Sequence, residues 1–331
     1  VLTEPLPLAR ATVDRDTAAR EDNTLLGRLW RQPGTAVVLV HRGLVAVAPS
    51  RAALDLARPA DLPDPPGLAP ATGGPGAAAP SGAPLDVAYL GRDGATPFLL
   101  LVLSESAGEE RDFAGVPAES DDPLIASRRW ASLREVGARL DARDAGLAVA
   151  AVALAAWHAR HPRCPRCGEP SRPALAGWAR GCPADGSMHH PRTDPAVIVA
   201  VTDDDDRLLL AHAAHWPERR FSLVAGYVEP GESLEAAAQR EVAEECGVTV
   251  TDLAYQGSQP WPFPASLMLG FRARTTDRAP TPDGVEVTAA LFVTREDLAG
   301  LAERGDLLLP MRASIARVLI EDWFGRALPG A

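Results

Sequence analysis

The sequence lacks any apolar run long enough to cross a bilayer. Its longest, residues 146–157, is about a dozen residues, against the roughly 20 that a membrane helix needs. No basic stretch followed by an apolar one stands at its start, so no signal peptide is expected and the cytoplasm is the expected compartment. Cysteine is scarce. Of the four, Cys164, Cys167 and Cys182 cluster, while Cys246 lies far off in a helical pattern. That spacing argues against a disulfide framework, favours a metal site and suits a reducing compartment. Positive charge is in deficit as well, with 33 Lys and Arg against 44 Asp and Glu and a formal net charge of −11. The long-range field therefore repels polyphosphate backbones, and any nucleic acid must be held locally. No internal repeat is present.

What is there is a chain of 331 residues, 46% of them hydrophobic, enough for two or three domains with real cores. In the first half, short apolar runs at 36–40, 44–47, 87–90 and 98–103, with a turn at Arg92-Asp93-Gly94, predict a small β-rich domain. A Pro, Gly and Ala tract at about 58–84 buries too little apolar surface to offset its ordering entropy and is read as a disordered insertion without chemistry. The alanine-rich run at 141–161 predicts a helix that ends at His161-Pro162. In the second half, strands are expected at 196–201 and 208–211. The acid run Asp203 to Asp206 between them is read as a solvated hairpin tip rather than a metal site.

The strongest signal is GYVEPGESLEAAAQREVAEECGV, at 226–248. Ser233 is a good N-cap, Leu234, Ala238, Val242 and Cys246 recur every four residues as a buried stripe, and Gly247 ends the helix. Glu241, Glu244 and Glu245 then share one face, one turn apart. Three carboxylates so placed repel one another, and only Arg240 is near to relieve them. A hard divalent cation removes that repulsion, because Mg²⁺ and Mn²⁺ prefer carboxylate oxygens. On charge spacing alone, an acidic solvated helix face accounts for the triad equally well.

The complete pattern decides between them. Gly226, Glu232, Arg240-Glu241, apolar Val242, Glu244-Glu245, Gly247 and apolar Val248 match every fixed position of the Nudix box, so the segment resembles the Nudix hydrolases. The resemblance implies an α/β/α sandwich at the C-terminus. It implies that the backbone carbonyl of Ala225 and the side chains of Glu241 and Glu245 are ligands for Mg²⁺ or Mn²⁺. Glu244 and Glu232 look like supporting or water-activating carboxylates, and Arg240 resembles the residue that orients a box glutamate through paired hydrogen bonds.

A second signal, SQPWPFPASLM at 258–268, spaces Pro260, Pro262 and Pro264 alternately, which predicts an extended, rigid segment offering the flat faces of Trp261 and Phe263. Such faces can accept a planar base. The string resembles the SQPWPFPxS segment of the NADH pyrophosphatases within the Nudix hydrolases, which also remove NAD caps from RNA. That resemblance implies a nucleotide pocket lined by Gln259, Pro260, Trp261, Pro262, Phe263, Pro264, Ala265 and Ser266. It further implies a metal ligand at Glu286, with Ala289 where the family usually has a second acid. Ala316, in the C-terminal stretch at 314–323, falls where a substrate contact is expected, and Ile315, Val318, Leu319 and Trp323 point inward there. His190 stands at a base-stacking position usually held by tyrosine, and Arg134 aligns with a substrate-binding arginine.

Cys164-Pro-Arg-Cys167-Gly has the spacing of one zinc knuckle. The second half is Cys182-Pro-Ala-Asp185, where the family's ribbon has two more cysteines. Asp185 has the right spacing for the fourth ligand, whereas His189 and His190 are softer donors but off register, and Asp185 is favoured. Four protein ligands imply a structural Zn²⁺. Arg163, Arg166, Arg172, Arg180 and Arg192 make this region locally basic, which would suit an RNA strand and equally suits solubilising charges.

The expected organisation is a β-rich α+β domain at 1–158, a zinc ribbon at 159–192 and a catalytic domain at 193–331. The resemblance implies a homodimer that hydrolyses the diphosphate of NADH or NAD⁺ to nicotinamide mononucleotide and AMP, and NAD-cap removal from RNA, with no membrane partner. Two alternatives stand beside this reading. One is a Nudix hydrolase of another nucleoside diphosphate derivative, such as ADP-ribose or a diadenosine polyphosphate. The other is a zinc-ribbon nucleic-acid-binding protein on an inactive Nudix scaffold, whose expected marks are a damaged box and a basic surface.

Overall fold

A computed structural model describes residues 2, 6–65, 68, 86–103 and 122–329. Most of the expected insertion, 66–67 and 69–84, lies outside the described residues. Its first residues are built: a 3-10 turn at Pro59–Asp61 follows Arg58, whose Nε donates to Asp61 at 2.8 Å. The chain divides into two compact units, one of Arg10–Arg192 with Pro262–Ala265, the other of Val1–Ala9, Thr193–Trp261 and Ser266–Ala331.

The first unit contains α1 (Leu25–Arg31), β1 (Ala36–His41), β2 (Leu44–Val47), β3 (Val87–Asp93), β4 (Thr96–Leu103), α2 (Pro123–Ala126), β5 (Arg129–Ala131), α3 (Leu133–Val136) and α4 (Ala142–Arg160). Its sheet runs β3-β4-β1-β2-β5, with β1 and β4 parallel and the other pairs antiparallel. Nearly every residue of β4 is buried, as its unbroken apolar sequence demands of a strand covered on both faces. Helix α4 starts at Asp141, whose carboxylate accepts the Asp144 N–H at 2.8 Å. Asp144 is itself buried and accepts the Leu54 N–H at 2.8 Å. Beyond α4 comes an antiparallel three-stranded ribbon, β6 (Arg172–Ala174), β7 (Ala179–Gly181) and β8 (Met188–His189).

The second unit contains β9 (Asp194–Thr202), β10 (Leu208–Ala213), β11 (Val224–Tyr227), α5 (Leu234–Cys246), β12 (Thr251–Trp261), β13 (Ser266–Arg274), β14 (Val287–Val293), α6 (Arg295–Arg304) and α7 (Ile315–Phe324). The sheet runs β12-β13-β9-β10-β14 with β11 also on β9, and β13 lies parallel to β9. The period-2 alternation of β9 sorts it between two cores. Ile198 and Ala200 join Ile315, Leu319 and Trp323 of α7, while Val197, Val199 and Val201 join Ala238, Val242 and Cys246 of α5. This is the expected α/β/α sandwich. Val318 packs only half-buried against the α7 core, and Ala316, Arg317 and Ile320 are buried there as well.

Two local expectations are corrected. The hairpin tip at 203–206 is a turn, but Asp203 is fully buried, because its carboxylate accepts the Asp205 and Arg207 backbone N–H groups and pairs with the Arg207 guanidinium. The Pro-aromatic segment is not one extended stretch. Ser258 to Trp261 close β12, residues 262–265 form a turn, and Ser266 opens β13. Pro260 falls on edge strand β12, where a missing N–H is tolerated.

Candidate active site and metal centres

Helix α5 begins where Ser233 Oγ accepts the Ala236 N–H at 3.2 Å and ends at Gly247, which adopts a left-handed φ of 62°. Ala237, Ala238, Val242 and Cys246 are its buried residues, with Leu234 half-buried against the same core. That anchoring turns Glu241 toward β11. A Cβ built on Gly226 would overlap the Glu241 carboxylate, so a side chain at this position would force that carboxylate out of its place. Ala225 is the residue just before it on β11.

Arg240 is shared among the acids. Its Nε and Nη2 donate to the two oxygens of Glu232 at 2.9 and 3.0 Å, and its Nη1 donates to Glu241 at 2.9 Å and Glu244 at 3.0 Å. Nη2 also reaches the Tyr227 carbonyl at 3.0 Å. The paired fork on Glu232 is the geometry expected of this arginine. Glu232 is held below the usual carboxylate range, first by Arg240 and then by the Glu229 N–H.

One arginine does not neutralise the rest. Burial, and then the charges of Glu241, Glu286, Asp283 and Glu244, push the Glu245 carboxyl up to about 8. Glu241 is raised as well, by burial against the opposing pull of Arg240, with Glu244 and Glu286 adding to the rise. Oxygen donors that are partly buried and mutually repelling fit a hard divalent cation. Glu286, at the end of the loop before β14, is electrostatically coupled to both α5 carboxylates.

Around this centre the structure places a residue that sequence reasoning missed. Tyr227, 53% exposed and adjacent to Gly226, directs its hydroxyl to Ser266 Oγ at 3.3 Å. An exposed aromatic at the second position of the box was the available signal. Of the expected pocket residues, Trp261 ends β12, and Ser266 begins β13 opposite it. Gln259 has no exposed surface. Its amide accepts from the Leu8 N–H at 3.1 Å and donates to the Ala313 carbonyl at 2.9 Å, so it braces β12 from within. Ala316 is buried in the first turn of α7, its N–H donating to Ser314 Oγ at 3.2 Å. In the first unit, the Arg134 guanidinium lies over the Phe263 ring, 4.4 Å from its centroid, bringing together two residues singled out separately. His190 is exposed just after β8.

The ribbon gathers the thiols. Ligand atoms of Cys164, Cys167, Cys182 and Asp185 all lie within 4.8 Å of one another. The two turns that carry them repeat one hydrogen-bond pattern. Cys164 N–H donates to Glu169 O at 2.8 Å and Gly168 N–H to Cys164 O at 2.9 Å, while Cys182 N–H donates to Ser187 O at 2.8 Å and Gly186 N–H to Cys182 O at 3.0 Å. Asp185 thus occupies in the second turn the place that Cys167 has in the first. Three thiols and a carboxylate suit tetrahedral Zn²⁺. His189 Nε2 is also near, 3.2 Å from Cys164 Sγ and 2.8 Å from Ser187 Oγ. Arg180, expected among the surface cations, is 1% exposed. Ser171 Oγ and O each accept from it at 2.7 Å and His158 Nδ1 at 3.0 Å, so it is a core crosslink, because buried acceptors satisfy its fork.

Three family models match the chain: a NUDIX domain at 192–317, an NADH pyrophosphatase zinc ribbon domain at 159–189, and an NADH pyrophosphatase-like rudimentary NUDIX domain at 34–157. The NAD-capped RNA hydrolase NudC of Mycobacterium bovis is 42% identical over 63% of this chain and 66% of its own length. The NAD-capped RNA hydrolase NudC of Stutzerimonas stutzeri is 38% identical over 65% of this chain and 76% of its own length. The chain belongs to the NADH pyrophosphatase family of Nudix proteins. A solved NUDIX hydrolase from Nitrosomonas europaea aligns over 51% of this chain and 96% of its own at 20% identity, with a TM-score of 0.38, too distant to carry functional weight. The match spans about two thirds of the Mycobacterium relative.

The two departures expected from the family's pattern lie at Asp185 and Ala289. Asp185 replaces a ribbon cysteine, and the matching turns keep its carboxylate among the thiols. Ala289 replaces the second acid; it pairs in β14 with His212 of β10, beside a bulge between His212 and Ala213.

Proposed function

We propose that this chain is a divalent-metal-dependent diphosphatase that splits NADH or NAD⁺ into nicotinamide mononucleotide and AMP. The observation that supports it most is the crowding of Glu241, Glu244, Glu245 and Glu286 beside the side-chain-free Gly226, a repulsion that Arg240 relieves only at Glu241 and Glu244. Glu241, Glu245, Glu286 and the Ala225 carbonyl would hold Mg²⁺ or Mn²⁺, and such an ion supplies charge neutralisation of the diphosphate and a water of lowered pKa. The side chains divide the remaining work. Arg240, clamped by Glu232, fixes the direction of Glu241. Glu244, with 63% of its side chain exposed, would accept a proton from an attacking water. In the second unit Tyr227 and Trp261 offer faces on which bases can stack, and in the first Arg134 holds the Phe263 ring. Cys164, Cys167, Cys182 and Asp185 would hold a structural Zn²⁺.

The deciding experiment is product analysis of the full chain with NADH and Mn²⁺. AMP and reduced mononucleotide are expected, with kcat/KM for NADH above that for ADP-ribose or a diadenosine polyphosphate. Preference for either of those would overturn the substrate reading. The family relation also supports a homodimer in a reducing cytoplasm, working in three parts at 1–158, 159–192 and 193–331. Among the described residues, no helix is long and apolar enough to cross a membrane. A monomeric mass by light scattering would remove the dimer.

NAD-cap removal from RNA is a second reading, favoured by the exposed Arg163, Arg166 and Arg192 beside the ribbon. Reversing Arg163 and Arg192 to Glu should slow decapping several-fold and spare NADH hydrolysis. Equal losses on both substrates would sink it.

A further inference from the structure

The loop before β14 is organised by one exposed side chain. Asp283 Oδ1 accepts the N–H groups of Val285 at 3.2 Å and Val287 at 2.8 Å, and Oδ2 accepts that of Glu286 at 3.1 Å. The same residue joins the loop to α5, its own N–H donating to the Glu245 carbonyl at 3.2 Å. Thr281 N–H donates to the Cys246 carbonyl at 2.7 Å. Carbonyls in the last turn of a helix lack intrahelical partners, so the loop fills vacancies that α5 cannot fill itself. At its far end, Val287 is 3% exposed and anchored in the α5 core. The backbone on both sides of Glu286 is therefore fixed.

The choice of aspartate needs explaining. Its charge adds to the repulsion on Glu245, so electrostatics alone disfavours it here. Asn or Ser would close an ordinary turn without that charge. Neither offers two acceptor oxygens to three successive N–H groups, because the Asn amide nitrogen only donates. The demand met is geometric, and the residue whose geometry is at stake is Glu286.

We propose that Asp283 is the positioning residue of the metal centre, fixing the backbone of 285–287 so that Glu286 is presented to Glu241 and Glu245. The proposal rests on the reading of Glu286 as a ligand. It is tested on the full chain by Mn²⁺ titration, followed by electron paramagnetic resonance or calorimetry, with the melting midpoint of the metal-free protein recorded alongside. Glu286→Gln and Asp283→Ala are each expected to weaken Mn²⁺ binding about 10- to 100-fold. Asp283→Asn, which keeps one oxygen for Val285 and Val287 but loses the acceptor for Glu286, should fall between Asp283→Ala and the parent. Because Asp283 acts through Glu286, adding Asp283→Ala to Glu286→Gln should change affinity by less than about twofold. If Glu286→Gln binds Mn²⁺ like the parent, the ligand reading fails. If Glu286→Gln is weakened while Asp283→Ala is not, or if the two losses multiply, the positioning role fails. Should Asp283→Ala melt early, the Asn variant decides by the same criteria.

Discussion

Glu241, Glu244 and Glu245 stand on a helix that is capped at both ends and buried along one stripe, whereas Cys164, Cys167, Cys182 and Asp185 stand on two short turns of matching pattern. The helical acids repel one another, and burial with neighbouring charge lifts Glu245 to about 8. The thiol cluster is instead knit together: Cys164 contacts His189 and Ser187, and Ser187 holds the Asp185 carboxylate far below the usual range. A rigid scaffold carrying unresolved charge suits an ion that exchanges water and substrate. A largely thiolate donor set on two short turns suits an ion that holds the turns together.

The sharpest way to break the contrast is Glu245→Gln. It should lower kcat by on the order of a thousandfold or more while leaving the metal-free melting midpoint unchanged or higher, since a strained buried carboxylate becomes neutral. Near-normal turnover would remove Glu245 from the centre. The ribbon should respond oppositely. Cys182→Ala is expected to abolish stoichiometric zinc and lower the melting midpoint by roughly 5–10 °C, while kcat per folded molecule falls no more than severalfold. A thousandfold loss of kcat with unchanged melting would reverse the assignments.

The smallest effect concerns pH. His158 of α4 donates from Nε2 to the Gly177 carbonyl at 2.8 Å and accepts from Arg180 at Nδ1. Burial, with the Arg180 charge adding, holds its pKa down at about 4, against an ordinary 6.5. Between those values the unfolded chain binds a proton that the native one refuses, so stability rises with pH across the window and is lost as pH falls from about 6.5 toward 4. Glu245, raised to about 8, works in the opposite sense over the same window, so the histidine is read by difference: on going from pH 7 to 5 the urea midpoint of His158→Gln should change more favourably than that of the parent. An identical change in the two proteins would contradict it.

How much of this the sequence disclosed follows from range. The α5 triad, its cap and its buried stripe were legible because i, i+3 and i+4 spacing is local. The strands at 36–41, 44–47 and 208–213 showed through apolar runs for the same reason. Arg180 was misread because composition does not distinguish a solvated arginine from one whose acceptors come from Ser171 and His158. The three prolines suggested a continuous extended segment, and only the pairing of Trp261 with Ser266 reveals a hairpin turning between them. Asp283 gave no signal, since its partners are backbone groups that any residue supplies.

The brace at Gln259 has a practical consequence for anyone dissecting this molecule. Leu6 belongs to the same core as α7, and the Leu8 amide is satisfied by Gln259. A fragment cut at the start of the Nudix sequence would leave a greasy socket without its plug and one glutamine oxygen without its donor. The chain's early residues are a working part of a unit whose sheet begins nearly two hundred residues later.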